Sequence, residues 1–244
     1  MSVSTIWSPF PQVREPRPLR DGLVLWLDAD DLSTITKDGG NLVSQWRDKS
    51  GGGNHAEASG IYRPLWVDAQ LNNVSVIRFD GIQDVLNAGS GSDFDNITIF
   101  MVFKYVTGGV NGGNILRKWG SDGVIISAID LDNNPYAFTV NTWETYRVTF
   151  PTADISTYSL LTCRHDKSLG SDNIQVWVDG VSKGTDNCTV DAGGDGADLV
   201  IGAAFADGGF AVKCDIGEVV IYDTPLGASD LAQVESYLNL KWGL

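Results

Sequence analysis

Histidine, methionine and cysteine are nearly missing from this chain, with 2, 2 and 3 residues in 244. Two histidines and no C-x-x-C leave too few nitrogen and sulfur ligands for a zinc centre. Cys163, Cys188 and Cys214 are odd in number and sit in or beside apolar runs, so they read as reduced core residues rather than a disulfide frame. Glutamate is scarce as well: Glu15, Glu57, Glu144, Glu218 and Glu235 are scattered, and the other acidic residues are aspartates. Cations are outnumbered 17 to 31, for a net charge of −14, which excludes the clustered Lys and Arg that nucleic-acid binding requires. No apolar run approaches the 18 residues of a membrane span. The N-terminus lacks a continuous apolar core, so no secretory signal is expected. The Gly51–Gly53 loop does not follow a strand and open a helix in either phosphate-cradling pattern.

Aspartate and 28 glycines dominate what is present, and both favour turns over helix. Between the turns lie short runs of strand type: Gly22 to Asp28, Leu42 to Trp46, Val74 to Phe79, Ile97 to Val106, Ile115 to Trp119, Val124 to Ile129, Tyr136 to Val140, Thr145 to Phe150, Tyr158 to Arg164, Ile174 to Val178, Leu199 to Gly202 and Ile216 to Tyr222. Ile97 to Val106 is apolar on both faces and reads as a central strand. One helix is expected after Pro225, with Ser229 as N-cap and Leu231, Val234 and Leu238 on its buried face. It closes the fold, with the last strand set against the first. One all-β domain of residues 21–244 follows. Residues 1–20 form an extended arm with Pro9, Pro11, Pro16 and Pro18. Three arginines against Glu15 give it +2 and leave −16 for the body.

GLVLWLDADD at the first strand, QWRDKSGGGNHA from Gln45, VIRFDG from Val76, VWVDG from Val176 and the terminal DIGEVVIYDTPL…YLNLKWGL resemble the laminin-G and concanavalin A-like lectin/glucanase domains of bacterial surface and phage virion proteins. The resemblance implies a jelly-roll β-sandwich over residues 22–244, a fold that hosts lectins, structural modules and hydrolases alike. Glucanases of that type carry E-x-D-x-E or E-x-D-x-x-E, because retaining hydrolysis needs two carboxyls about 5 Å apart. The nearest stretch, Lys213 to Glu218, has Lys213 where the nucleophile belongs, so no enzyme is expected. His165, Asp166 and Ser168 are adjacent but lack a G-x-S-x-G elbow, and His165 reads as a half-exposed strand residue. His55 reads as loop packing.

Sugar recognition would use exposed aromatic rings. Trp26, Trp46, Trp66 and Trp177 fall on strands as core, while Trp119 and Trp143 sit near turns and are the glycan-binding candidates. Asp191, Asp195 and Asp198 share an acidic glycine loop that offers ligands of calcium type, without the spacing that would specify a site; otherwise no cofactor is expected. In the arm, Ile6, Trp7 and Phe10 are candidate apolar anchors, and Arg14, Arg17 and Arg20 candidate ion-pair partners for other virion proteins or identical subunits. The leading expectation is a virion structural or attachment protein, as a phage decoration or tail-associated protein, made in the host cytoplasm without a signal peptide. The alternative is a carbohydrate-binding module of a cell surface, and the third an enzyme acting on polysaccharide.

Overall fold

The computed structural model describes residues 17–91, 93–106, 113–120, 122–128, 135–141 and 145–244. Among them the chain forms β1 (Leu23–Asp28), β2 (Ile35–Lys37), β3 (Val43–Trp46), β4 (Ala56–Glu57), β5 (Leu65–Leu71), β6 (Val74–Asp80), β7 (Leu86–Asn87), β8 (Ile97–Tyr105) and β9 (Asn114–Trp119). There follow β10 (Gly123–Ala128), β11 (Pro135–Val140), β12 (Arg147–Pro151), β13 (Ser159–His165), β14 (Ile174–Val178), β15 (Val181–Asp186), β16 (Leu199–Ile201), β17 (Lys213–Tyr222) and the helix α1 (Ala228–Trp242).

Two antiparallel sheets make a sandwich. The first runs β15-β14-β13-β8-β17-β6-β5, and the second β12-β11-β10-β9-β16-β7-β4-β3-β2. β17 pairs with β8 along its whole length, while its other edge is shared: β6 takes Lys213–Ile216 and β1 takes Glu218–Tyr222. The apolar residues of β8 alternate between two environments. Ile97, Ile99, Met101 and Phe103 face the core between the sheets with Leu25, Leu27, Ile216, Val219 and Ile221. Phe100 and Val102 face outward into a second cluster with Trp26, Val76, Val220 and Tyr222. That outer cluster would be exposed on a bare sandwich. α1 covers it with Val234, Tyr237, Leu238 and Trp242, and Leu231 packs at its margin.

The helix N-cap is Gly227 in extended conformation, with no side-chain capping bond. Ser229 lies inside the first turn instead. The entry is fixed from the sheet: Thr98 Oγ1 donates to the Thr224 carbonyl and accepts from Leu226 N. At the other end Gly243 adopts φ 67°, and its N–H donates to the Asn239 carbonyl, a left-handed cap that favours glycine.

Helix and sheet are joined at one buried carboxylate. Glu218 is fully buried, and each oxygen accepts two bonds: Oε1 from Trp26 Nε1 at 2.7 Å and Tyr237 Oη at 2.6 Å, Oε2 from Lys241 Nζ at 2.7 Å and Trp242 Nε1 at 2.8 Å. Lys241 also reaches Asp28, which Lys49 holds from the other side at 2.8 Å. Burial and the nearby Asp28 push the Glu218 carboxyl up, and Lys241 and Tyr237 pull it back. Four donors around two oxygens match the ionised form. A Cβ on the preceding Gly217 would lie 2.6 Å from the Trp242 ring, so only glycine lets the indole seat.

The three cysteines are free and buried, as expected. The QWRDKSGGGNHA stretch is a latch on β1: Asp48 accepts from Trp26 N, Ser50 N and Asn54 N, His55 Nδ1 accepts from Asp48 N, and Asn54 Nδ2 donates to the Val24 carbonyl. Trp26 and Trp46 are buried, whereas Trp66 and Trp177 are half-buried on strand faces. His165 is fully buried, because β13 lies inside the first sheet between β8 and β14. β5, of which the sequence marked only Trp66 as a strand residue, and β15, which it did not mark, are the two edges of that sheet.

Glu218→Gln puts an amide N–H₂ against two of the four donors and leaves Lys241 with Asp28 as its one remaining carboxylate. A loss of about 3–5 kcal/mol is expected in urea unfolding, as for other broken buried pairs; an unchanged midpoint would show that the carboxylate is not the joint between helix and sheet.

Candidate functional site

Cross-strand register defines the outer face of the second sheet. Arg117 on β9 stands opposite Val200 on β16 and Ile125 on β10, and the row continues through Asn87 to Glu57 and Gln45. Leu116 faces the core and the Lys118 side chain is fully buried, so Arg117 and Trp119 alternate outward. Val200 belongs to a small apolar cluster with Val85, Ala203 and Ala211, against which Tyr62 packs.

Two phenylalanines stand over this floor. Phe205 and Phe210 are 47% and 51% exposed, with ring centroids 6.1 Å apart at 60°, and the Arg117 guanidinium lies 4.7 Å from the Phe205 ring centre. The turn between them is tight: Gly208 N donates to the Phe205 carbonyl, Ala204 N to the Gly209 carbonyl, and a Cβ on Gly208 would lie 2.4 Å from the Gln83 carbonyl oxygen. Ile61 and Ile82, 66% and 71% exposed, extend the patch, and Gln83 Nε2 ties them together through the Ile61 carbonyl.

Phe210 adopts φ 55°. Seven of the nine non-glycine residues described at positive φ are Asn or Asp, which tolerate that region; a bulky aromatic does not. Its carbonyl accepts from Asn114 N and its ring is half in solvent, so the strained backbone is not offset by burial.

The Asp80–Asp84 turn borders the patch. Asp80 Oδ1 accepts from Ile82 N and Gln83 N, and Asp84 Oδ2 accepts from Asp80 N at 2.9 Å. Burial, aided by the Asp80 charge and opposed by that backbone bond, pushes the Asp84 carboxyl up to about 7.

A recess of about 920 Å³ lies elsewhere, between residues 17–22 and the outer side of α1. It is where the described end of the arm returns to its own body: Leu19 joins the helix cluster, Tyr222 Oη donates to its carbonyl, and Arg20 donates to the Lys49 and Ser50 carbonyls at 3.2 Å. Arg17 is half-buried along the same recess. Ile6, Trp7, Phe10 and Arg14 fall outside the described residues. A second recess of about 400 Å³ opens between the sheets beside Lys118, whose Nζ is already bonded to the Ser90 and Ala197 carbonyls.

Of the glycan candidates, Trp119 is half-buried on the same outer face as Arg117, two residues along β9, and Trp143 falls outside the described residues. The acidic loop is knitted to its surroundings: Asp191 pairs with Lys167, and Asp198 accepts from Asn87 Nδ2 at 2.7 Å. Among the described residues no three His, Cys, Asp or Glu side chains converge to hold a metal ion. His165 Nε2 meets the Cys188 carbonyl and Ser168 Oγ donates to Asp166, so these residues do not assemble a triad. Glu218 lies sealed beneath α1, Glu57 accepts from Gln45, and Glu235 accepts from Thr162, which sets no two of these three glutamates across an open cleft. The aromatic patch is the signal that strand periodicity missed; its trace in the sequence is a pair of phenylalanines flanking Ala206-Asp207-Gly208-Gly209.

No family model matches the chain, and no curated protein matches it either. Solved structures do. The binding domain of Paraclostridial Mosquitocidal Protein 1 aligns over 90% of this chain and 53% of its own at 13% identity, with a TM-score of 0.61. The botulinum neurotoxin serotype D binding domain aligns over 92% and 54% at 14% identity, TM-score 0.60, and a Trypanosoma rangeli sialidase over 97% and 37% at 14%, TM-score 0.59. The chain thus spans about half the length of the binding domains it matches and about a third of the sialidase. These likenesses establish the β-sandwich fold, one shared with toxin binding domains.

Asp84 gives this region a pH signature. Its folded pKa lies above the ordinary value, so its contribution to stability is full below about pH 4 and is lost as pH rises towards 7. Asp84→Asn removes that loss: the variant's melting temperature relative to wild type should climb between pH 4 and 7.5. A constant difference would place the carboxyl in solvent.

Proposed function

We propose that this protein is a non-catalytic recognition module that binds a cell-surface glycan on the outer face of its second sheet, with Phe205 and Phe210 as the stacking platform and Trp119 at its margin. The observation that carries this reading is Phe210, an aromatic side chain held half in solvent on a left-handed backbone. Such a residue costs stability where it stands and returns little by packing, the pattern of a position kept for contact with something else. Ring faces beside a guanidinium, with Gln83 and Asp207 at the edges, suit a sugar, whose C–H face stacks and whose hydroxyls hydrogen-bond. The fold likeness to toxin binding domains supports a binding role, and the scattered glutamates weigh against hydrolysis.

Attachment of a virion to its host remains the finer reading that the sequence suggested, with the same face turned to the host glycan and the arm as fastening. Residues 17–20, the described end of that arm, are tied to the chain's own β1 latch and to Tyr222.

Phe205→Ala and Phe210→Gly separate binding from folding. Both should abolish retention on a glycan array. Phe210→Gly should leave the protein as stable as wild type or up to about 1 kcal/mol more stable, because glycine relieves the positive φ. Undiminished glycan binding by both variants would remove the platform from the function.

A further inference from the structure

Arg117 is placed as few cations in this protein are. Its strand neighbours on the outer face, Val200 and Ile125, are 5% and 4% exposed, so the side chain leaves the sheet from an apolar floor. Its guanidinium lies over the Phe205 ring, and burial holds it below its ordinary pKa. Four other partly buried cations are neutralised by a carboxylate: Lys49 by Asp28 and Asp31, Arg78 by Asp215 at 2.7 Å, Arg164 by Asp166, and Lys241 by Glu218 and Asp28. Arg117 has no such partner among the described residues, in a chain whose 31 acidic side chains make one easy to supply. Stacking occupies the face of the guanidinium and leaves its N–H edges for an acceptor from outside.

We propose that Arg117 selects the ligand by an acidic group, a carboxylate or a sulfate ester carried by the sugar that stacks on Phe205 and Phe210. This rests on reading the aromatic pair as a glycan platform. The planar fork matches either group with two parallel charge-assisted bonds, and a partly desolvated cation gains more from such a partner than a fully hydrated one. The net charge of −14 opposes the approach of any anion at long range. Selection is therefore short-ranged and geometric: the acid must arrive at the guanidinium while the ring is stacked. A neutral sugar can stack but leaves the cation unpaired, which sets a preference of about tenfold or more from a charged hydrogen-bonded pair.

The test compares glycans identical but for the terminal residue: glucuronic acid, glucose, and glucose 6-sulfate. The full chain is titrated against each as wild type, Arg117→Lys and Arg117→Met, with thermal melts to confirm that the variants are folded. Wild type is expected to prefer one or both acidic termini by about tenfold or more, and the carboxylate and sulfate arms show which. Arg117→Met should bind all three alike at the neutral level, and Arg117→Lys should lose most of the preference despite keeping the charge, since the ammonium lacks the bidentate fork. If wild type binds the glucose and acidic termini equally, and Phe205→Ala still abolishes binding, Arg117 selects nothing while the platform stands. If no terminus binds, the platform reading falls and this inference with it.

Discussion

Everything on the outer side of the first sheet depends on the Glu218 carboxylate. A buried anion is tolerable only when its lone pairs are filled, and here two indoles, a phenol and an ammonium fill them from β1 and from α1. Neither element satisfies it alone. The helix cannot dock a turn out of register without stranding the charge, so the polar joint specifies where the apolar face of Val234 and Leu238 must land. Gly217 provides the room and the shared edge of β17 provides the place, since it is there that β6 gives way to β1.

The second sheet is built on a different economy. Its central strands send their inner residues into the common core, but Arg117 and Trp119 on its outer side are only half-buried, and the turn beyond β16 leaves two phenylalanine rings in solvent. One outer face is sealed by a charge-pinned helix, and the other leaves two aromatic rings half exposed, one of them on a left-handed backbone. Rigid support for the rings comes from backbone: the Gly208 turn pressed on Gln83, and the Phe210 carbonyl held by Asn114.

How much of this is legible before any coordinates depends on burial. β8 and β17 are apolar on both faces because each is covered twice, and such runs announce themselves. β5 and β15 do not: as edges they carry Asp68-Ala69-Gln70 and Ser182-Lys183-Gly184, polar stretches that match loop composition. The helix face is readable from Leu231, Val234 and Leu238, but its start is not, because Gly227 takes the cap position without a side-chain bond and Thr98, 131 positions before Ser229, holds the entering chain instead. Trp119 emerges from the sequence as a turn aromatic and lies on the same outer face as Arg117. Phe205, Phe210 and Arg117 require the register of β9 with β16 and a backbone angle, neither of which residue order reveals.

The pairing of Leu23 with Tyr222 brings the first and last strands together, and both Leu19 and α1 lie on the outer side of the first sheet. The phenylalanine pair lies on the opposite side of the sandwich, roughly two sheet layers of about 10 Å spacing away. Leu19 and α1 are thus set back to back with the phenylalanine pair. Whatever lies against α1 therefore leaves the aromatic rings free on the far side of the sandwich.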